Sequence, residues 1–560
     1  MHGPSLLKSR SAAKVLVDQL VLHGVKHVFC VPGESYLPVL DALRDCDITV
    51  TVCRHEGAAA MMAEAVGKTT GRPGICFVTR GPGATNAASG IHIAQQDSSP
   101  MIMFVGQIES AFRDREAFQE LDYRAVFGSM TKWATELDDA TRVAEYVSRA
   151  FQTATSGRQG PVVIALPKDM LSDVVNVPDA PAFRPVETSP GHVELQSFAK
   201  LLSDAKRPLF VLGGSHWSAE ARLKFQAFAD SSGVPVATSY RRSTLFDPLH
   251  PQYAGDLGLG PNPKLIARAK ESDLLIILGG RLGEIPSQGY TLVNAPTPQM
   301  KMVHVHPGAE ELGRVYAPEL AIHATPAKFV EALSDLKIAS NPDWRMQADV
   351  AHAQFLDWTS EATPQPGDVN LGSIMTWLRD HVPTDTILCN GAGNYASWIH
   401  RFYRFRDYMT HVAPTSASMG YGLPAAVAMQ RLHPGRLVLS VNGDGDFLMS
   451  GQEFAIAVQY KLPIIVVIAD NGMYGTIRMH QEREFPDRVS ATELHNPDFA
   501  AYARAFGGFG VTVSKTAKFA DAFEAARACG LPSIIHLKID SDAILPGTTL
   551  TKIREQGRSK

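Results

Sequence analysis

Cysteine is scarce in this chain: six residues in 560, at Cys30, Cys46, Cys53, Cys76, Cys389 and Cys529, with no Cys-x-x-Cys pair. That excludes a disulfide scaffold, argues against a zinc ribbon or a thioredoxin-type redox site, and fits a reducing compartment. Long hydrophobic runs are missing too. The longest, Leu462 to Ala469, falls far short of the roughly 20 residues that cross a bilayer. No apolar run follows Lys8, Arg10 and Lys14 to make a secretory signal. Neither sign of charge dominates: 53 Lys plus Arg against 57 Asp plus Glu leave a net charge of −4. No global field therefore draws the chain to nucleic acid or to an anionic membrane. Short-period repeats and low-complexity tracts are absent. The expectation is a cytoplasmic protein with no nucleic-acid and no membrane partner.

What is present is ordinary globular material, 45% hydrophobic and 20% charged. At about 150 residues per domain its length suggests three or four domains. Short apolar runs alternate with helix-period stretches. Val28 to Val31, Ile75 to Thr79, Met101 to Val105 and Pro161 to Leu166 read as buried strands, with helices over Ala58 to Lys68 and Ala140 to Ala154. This alternation implies α/β domains built on doubly wound parallel sheets. Pro178, Pro181, Pro185 and Pro190 mark a linker. Leu209 to Gly213, Leu274 to Gly279 and Met302 to His306 open a second block, and the polar stretch Ala339 to Gly367 separates a third. In that block Thr386 to Cys389, Leu437 to Val441 and Ile464 to Ala469 are the strand candidates. Three domains follow, at 8–176, 191–338 and 366–545. Lys552, Arg554, Arg558 and Lys560 read as a frayed, solvated tail.

The most informative stretch runs from Leu437 to Gly475. One strand leads into Gly443-Asp444-Gly445, and Ser450 with Glu453 has the spacing of a capping box. The next strand ends at Asp470-Asn471. Two strand ends thus deliver polar groups to the edge where open α/β sheets bind ligands. Glycines flanking Asp444 let backbone approach a phosphate. A carboxylate and an amide oxygen are hard donors, suited to Mg²⁺ shared with phosphate oxygens. Gly-Asp-Gly alone is equally a tight turn; the Asn at a second strand end is what sharpens it.

These residues resemble the signature of the thiamine diphosphate-dependent enzymes: Gly-Asp-Gly, about two dozen residues, then Asn-Asn. Here 24 residues separate Gly445 from Asp470, and Asp470 replaces the first Asn. The resemblance implies a pyrimidine-binding, a central Rossmann-like and a diphosphate-binding domain, with thiamine diphosphate and Mg²⁺ as cofactors. It implies Asp444, Asn471 and the carbonyl of Met473 as metal ligands. Gly393, Asn394 and Tyr395, from Asn390-Gly391-Ala392-Gly393-Asn394-Tyr395, would touch the diphosphate, as would Gly443, Gly445, Asp446 and Tyr474 around the metal. Met419, in Ser418-Met419-Gly420-Tyr421-Gly422, would wedge the cofactor into a bent shape, and the carbonyl of Ala417 would accept from its aminopyrimidine. Read by itself, Met419 is as well a core methionine.

In the first block Arg54-His55-Glu56-Gly57 precedes a helix, and Glu56 falls in its first turn, where negative charge is favoured. The resemblance makes Glu56 the acid that protonates the cofactor's pyrimidine nitrogen, helped by a desolvated site. Thr79-Arg80-Gly81-Pro82-Gly83-Ala84-Thr85-Asn86 matches a glycine-rich segment beside cofactor and substrate, and Ala117-Phe118-Gln119-Glu120 matches a segment of acetolactate synthases. Phe118 and Gln119 would reach the active site from the neighbouring subunit's side. Lys132 matches a lysine of that group, with an exposed lysine as the alternative. A homodimer or homotetramer with shared sites is implied.

Biosynthetic acetolactate synthases keep FAD in the central domain beside an Arg-Phe-Asp-Asp segment. This chain has Arg281-Leu282-Gly283-Glu284, which retains Arg281 and departs at the rest. An FAD site and a vestigial fold both stay open, the departure speaking for the second. His480 stands where those synthases use a tryptophan to choose 2-oxobutyrate; it reads as a proton donor or as a surface histidine. The resemblance is closest to acetolactate synthase-like large subunits. It implies decarboxylation of a 2-oxo acid, pyruvate first, and carboligation to a second one. A 2-oxo acid decarboxylase, a 2-hydroxyacyl-CoA or oxalyl-CoA lyase and a pyruvate oxidase are the alternatives. A non-enzymatic cofactor-binding protein would not require Glu56.

Overall fold

The computed structural model describes residues 9–336 and 338–559; the expected domain start at Lys8 and the last tail residue, Lys560, lie outside them. A first compact unit runs to Val186 and a second begins at Glu187. The first holds one six-stranded sheet, the second two. All three are parallel throughout, as the β-α alternation requires.

The first sheet runs, in spatial order, Thr49–Val52, His27–Cys30, Gly74–Val78, Met101–Gln107, Pro161–Pro167, Trp133–Glu136. Numbered by sequence within the sheet, that is 2-1-3-4-6-5. The last sheet has the same winding: His411–Val412, Ile387–Asn390, Val438–Gly443, Ile465–Asp470, Ser533–Lys538, Phe509–Val513. The middle sheet differs. Tyr253–Leu257, Val236–Ser239, Pro208–Leu212, Leu274–Leu278, Lys301–His306 and Leu320–His323 give 3-2-1-4-5-6, the dinucleotide-fold order. Central strands are buried on both faces; every residue of Met101–Gln107 and of Ile465–Asp470 is buried, which is why they read as continuous apolar runs.

Three expectations are corrected. Ala339 to Gly367 is not merely a polar spacer: Pro342–Ser360 is a helix that sets Trp344, Ala351 and Phe355 against the middle sheet's core, with the Trp344 indole donating to Ala205. The overall polarity of the stretch hides this single apolar stripe. The C-terminal tail is not frayed through Arg558. Leu550–Arg558 is a helix, and Arg554 and Arg558 pair with Glu482 and Asp487. Ser450 forms no capping box. It precedes a short turn at Gly451–Glu453, and its hydroxyl donates to the carbonyl of Gly420 at 2.6 Å. The helix begins earlier, at Asp444–Leu448, directly off the strand.

In the middle sheet the strand order reverses between Pro208–Leu212 and Leu274–Leu278. The turns that follow these strands abut. A Cβ on Gly214 would lie 1.8 Å from the carbonyl oxygen of Gly279, and the Trp217 indole donates to the carbonyl of Gly213 at 2.8 Å. The two turns are thus in close backbone contact at the position where this fold binds dinucleotides, with the part-buried Trp217 beside them.

Candidate active site

In the last sheet the order reverses between Ile387–Asn390 and Val438–Gly443, the position where open α/β sheets take ligands. The chain leaves these two strands as Gly391 to Tyr395 and as Asp444–Leu448. The neighbouring strand Ile465–Asp470 delivers Asn471 to the same edge. All the cofactor-binding positions expected in this domain, from Gly393 to Tyr474, line one cavity of about 720 Å³, and His480 lines it too.

Asp444 is buried and oriented by three donors. Gly445 N–H reaches its Oδ1 at 2.9 Å; Gly472 N–H and the Asn496 amide reach its Oδ2 at 2.9 and 2.7 Å. Burial, with the negative charge of Asp470 nearby, pushes Asp444 up to about 6. Asn471 is part-buried, and its side chain makes no hydrogen bond among the described residues, which leaves its amide oxygen to a ligand. The Met473 carbonyl accepts from Gly475 N–H at 2.9 Å and retains a second lone pair. Carboxylate, amide oxygen and backbone carbonyl form a hard-oxygen set of the kind that shares Mg²⁺ with phosphate.

Asp470 occupies the substituted position of the signature. Its Oδ2 accepts from His536 at 2.8 Å and from Lys538 at 2.7 Å, and its Oδ1 from Asn496 at 2.8 Å. Burial disfavours its charge, but these bonds outweigh burial and hold the carboxyl well below the usual range. The extra negative charge at this strand end is thus answered by a lysine and a histidine on the adjacent strand Ser533–Lys538.

Asp446 serves a different purpose from Asp444. Its carboxylate accepts from the Tyr395 hydroxyl at 2.7 Å, Gly420 N–H at 2.8 Å and Ala392 N–H at 3.2 Å. A Cβ on Gly391 would lie 2.2 Å from its Oδ1, so that loop requires glycine there. Burial pushes Asp446 up to about 6 against the pull of its donors. Tyr395 and Asp446 therefore hold the loops together, and their polar atoms are engaged. Arg241, at the end of strand Val236–Ser239, is 2% exposed and donates to the carbonyls of Gly391, at 2.6 Å, and Pro414.

Asn394 accepts from the Thr476 hydroxyl at 2.9 Å, tying the glycine-rich loop to helix Gly475–Glu484. Ala417 has φ +53, a left-handed conformation uncommon for a residue with a Cβ, and Met419 is part-buried beside it. His480 is exposed on the helix Gly475–Glu484.

In the first unit Glu56 opens helix Glu56–Thr70, capped by the His55 ring accepting from Gly57 N–H at 3.0 Å. The Asn86 amide donates to Glu56 Oε2 at 3.0 Å, and Gly83 packs against its other oxygen. Phe118 is 73% exposed and lies on the Arg80 guanidinium, whose Nε donates to the Phe118 carbonyl at 3.2 Å. Gln119 has φ +65 and packs on Gly81. Glu56, Arg80, Phe118 and Gln119 all follow C-terminal ends of strands in one parallel sheet and so share an edge. Lys132 does not. It precedes strand Trp133–Glu136, at the opposite edge, and its ammonium donates to the Ser156 carbonyl. Lys132 is exposed in the single chain.

Arg241, Asn496, His536 and Lys538 are polar partners that the sequence did not single out, and the bond from Asn86 to Glu56 was not foreseen either. Only Asn86 carried a local signal, as the end of the glycine-rich segment.

Three thiamine pyrophosphate enzyme domains match the chain in order: the N-terminal TPP binding domain over residues 10–126, the central domain over 195–333 and the C-terminal TPP binding domain over 391–537. Among curated proteins the chain is similar to the acetolactate synthase large subunit of Corynebacterium glutamicum, 30% identical across 95% of this chain and 87% of that protein. It is 29% identical to the acetolactate synthase isozyme 2 large subunit of Escherichia coli, covering 95% and 96%. It is also 29% identical to the acetolactate synthase of Bacillus subtilis, covering 96% and 94%.

Proposed function

The chain belongs to the thiamine diphosphate-dependent enzymes, in their acetolactate synthase-like branch, and from that premise we propose that it decarboxylates a 2-oxo acid and joins the remainder to a second carbonyl compound. Pyruvate is the proposed donor. The observation that carries the reading is the convergence of Asp444, Asn471, the Met473 carbonyl and the Gly391–Tyr395 loop on one cavity at a sheet's switch point.

The residues present fit the cofactor. Gly443 and Gly445 make a cradle that side chains would fill: a Cβ on Gly445 would lie 2.6 Å from the Tyr474 ring. In this reading Asp444, Asn471 and the Met473 carbonyl hold Mg²⁺, and Gly393, Asn394 and the backbone at 443–445 hold the diphosphate. Met419 supports the ring system, and the Ala417 carbonyl accepts from the aminopyrimidine. When bound, thiamine diphosphate supplies an electron sink for the bond that releases CO₂. The protein contributes orientation and proton traffic. Gly445, Gly472 and Asn496 fix the Asp444 carboxylate. Asn86 holds Glu56 Oε2, leaving Oε1 to give and retake a proton at the pyrimidine nitrogen. His480 lines the cavity as a candidate proton donor near the acceptor. Phe118 and Gln119 complete the site from a second subunit, so the working form is a homodimer or homotetramer. The departure at Leu282-Gly283-Glu284 from the flavin-associated segment speaks against FAD, and we assign that domain a framework role without it.

The test is one incubation of purified protein with thiamine diphosphate, Mg²⁺ and pyruvate, following pyruvate, acetolactate, acetaldehyde and CO₂. Acetolactate as the main product supports carboligation. Acetaldehyde as the main product makes it a decarboxylase. A visible flavin absorption band in the purified protein would overturn the framework reading of the middle domain.

A further inference from the structure

The cavity carries a cation that the cofactor assignment does not use. Helix Ala396–Phe402 begins where the glycine-rich loop ends, and Arg401 sits in its last turn. Arg401 is the one arginine among the described residues lining the cavity, and no lysine lines it. Its Nε donates to the carbonyl of Trp358 at 3.1 Å, and its guanidinium carbon lies 3.5 Å from the centroid of the Trp358 ring. Trp358 lines the same cavity. The two terminal nitrogens of Arg401 make no hydrogen bond among the described residues, and no acidic side chain pairs with it.

That arrangement is costly unless something completes it. A guanidinium stays charged at every physiological pH, and partial burial without a counter-charge is unfavourable. Burial alone shifts Arg401, and it shifts it down. The stack on Trp358 replaces some hydration and fixes the plane of the fork. What remains open is the edge that takes a carboxylate or phosphate through two parallel bonds. The lining includes the apolar Leu259, Pro261, Leu545 and Pro546, and none of the polar side chains described there hydrogen-bonds Arg401. From Ala396 to Arg401 the helix rises about 7–8 Å. A ligand anchored at both ends is therefore longer than pyruvate.

We propose that Arg401, stacked on Trp358, is the anion-binding residue of a second subsite in this cavity, taking the carboxylate or phosphate at the far end of an extended substrate. This rests on the reading of the cavity's other end as the cofactor site. It narrows the acceptor or donor to a carbonyl compound with a distal anion.

The test is calorimetric titration of the wild-type chain, Arg401→Gln and Arg401→Lys, each with and without thiamine diphosphate and Mg²⁺. The probes are glutarate for a distal carboxylate, coenzyme A for a phosphate source, and propionate as the control lacking a second anion. Glutarate or coenzyme A is expected to bind the wild type well above propionate, and whichever binds identifies the source. Arg401→Gln is expected to weaken that binding roughly tenfold or more, the scale of a lost charge-assisted bond. Arg401→Lys, which keeps the charge and guards against a folding defect, is expected to retain part of it. Unchanged anion affinity in Arg401→Gln overturns the proposal, as does failure of both anions to bind the wild type. A parallel loss of thiamine diphosphate affinity also overturns it, by placing Arg401 in the cofactor's own site. If the cofactor itself fails to bind the wild type, the proposed function falls, while the cofactor-free titrations still decide the role of Arg401.

Discussion

Tyr395 donates its hydroxyl to Asp446 at 2.7 Å, and the same carboxylate takes backbone N–H groups from Gly420 and Ala392. One buried acid thus fastens two loops that wall the cavity. Asp446→Ala leaves three donors without this acceptor, two of them on buried residues, and each buried unsatisfied donor costs about 1–3 kcal/mol. The expected loss is at least about 2 kcal/mol in urea unfolding, with weaker thiamine diphosphate binding. Tyr395→Phe removes one donor cleanly and is expected to cost about 1 kcal/mol. A wild-type urea midpoint in Asp446→Ala would rule out the fastening role.

Glu56 and Asn86 form the corresponding pair in the first unit, 3.0 Å apart. Glu56→Gln keeps the size and the contact geometry but cannot deliver a proton. Its turnover is expected to fall by about 10² to 10⁴, the usual contribution of a general acid–base step, with an unchanged melting temperature. Asn86→Ala leaves the carboxyl in place but unheld and is expected to fall by about tenfold. Steady-state assays beside thermal melts check both. Equal losses in the two variants would make positioning, not proton transfer, the function of the carboxyl.

Much of this was legible in the sequence, for a physical reason. Fully buried parallel strands leave uninterrupted apolar runs, so Met101 to Val105 and Ile464 to Ala469 declare themselves; the observed strands Met101–Gln107 and Ile465–Asp470 differ by one or two residues at their ends. Gly443-Asp444-Gly445 and Asn471 stand at strand ends because a sheet edge must turn sharply beside a ligand. Edge strands were harder to read. Thr49–Val52 and Phe509–Val513 are half-exposed and mix polar residues into the pattern. The partners of the site were illegible because they lie far away in the chain. Asn496 reaches Asp444 across 52 positions and Lys538 reaches Asp470 across 68, distances that no local spacing rule spans. The replacement of Asn by Asp at 470 looks like a departure in sequence. In the fold it is a compensated charge.

Glu482 is the hub that docks the C-terminal helix. Its side chain is 1% exposed and accepts from Arg554 through two bonds of 2.9 and 3.0 Å, from Arg478 at 2.9 Å and from Asp487 N–H at 3.1 Å. The Arg554 bonds, with Arg478 and the Asp487 amide, hold Glu482 at about 2, below the ordinary 4.5. A depressed carboxyl stabilises the fold above its unfolded pKa, and that contribution is lost as pH falls through the folded value. The stabilisation is therefore full above about pH 5 and declines between about 4.5 and 2. Glu482→Gln is expected to lower unfolding free energy by about 1–2 kcal/mol at pH 7. Its gap to the wild type is expected to narrow in melts toward pH 3. A gap that stays constant with pH would mean that packing, not charge, docks the helix.

Arg241 ties the middle domain to the loops of the proposed cofactor cavity by donating to the carbonyls of Gly391 and Pro414. Gly391 opens the glycine-rich loop, and Pro414 accepts from the N–H of Ala417, which lines the cavity. Arg241 itself has φ +56, so the turn accepts strain in order to aim it. Arg241→Ala removes one of two donors from each carbonyl, leaving Gly391 with the Asn390 amide and Pro414 with Ala417 N–H, and loosens both loops. Thiamine diphosphate affinity is expected to fall roughly tenfold, with turnover partly restored at saturating cofactor, because the reacting groups themselves are untouched. Arg241→Lys keeps one bond at most, since an ammonium cannot reproduce the fork that reaches both carbonyls, and is expected to fall between wild type and Arg241→Ala. Cofactor titration and saturation kinetics on the three proteins separate the cases. A turnover defect that persists at saturating cofactor would mean that Arg241 also orders groups that touch the substrate.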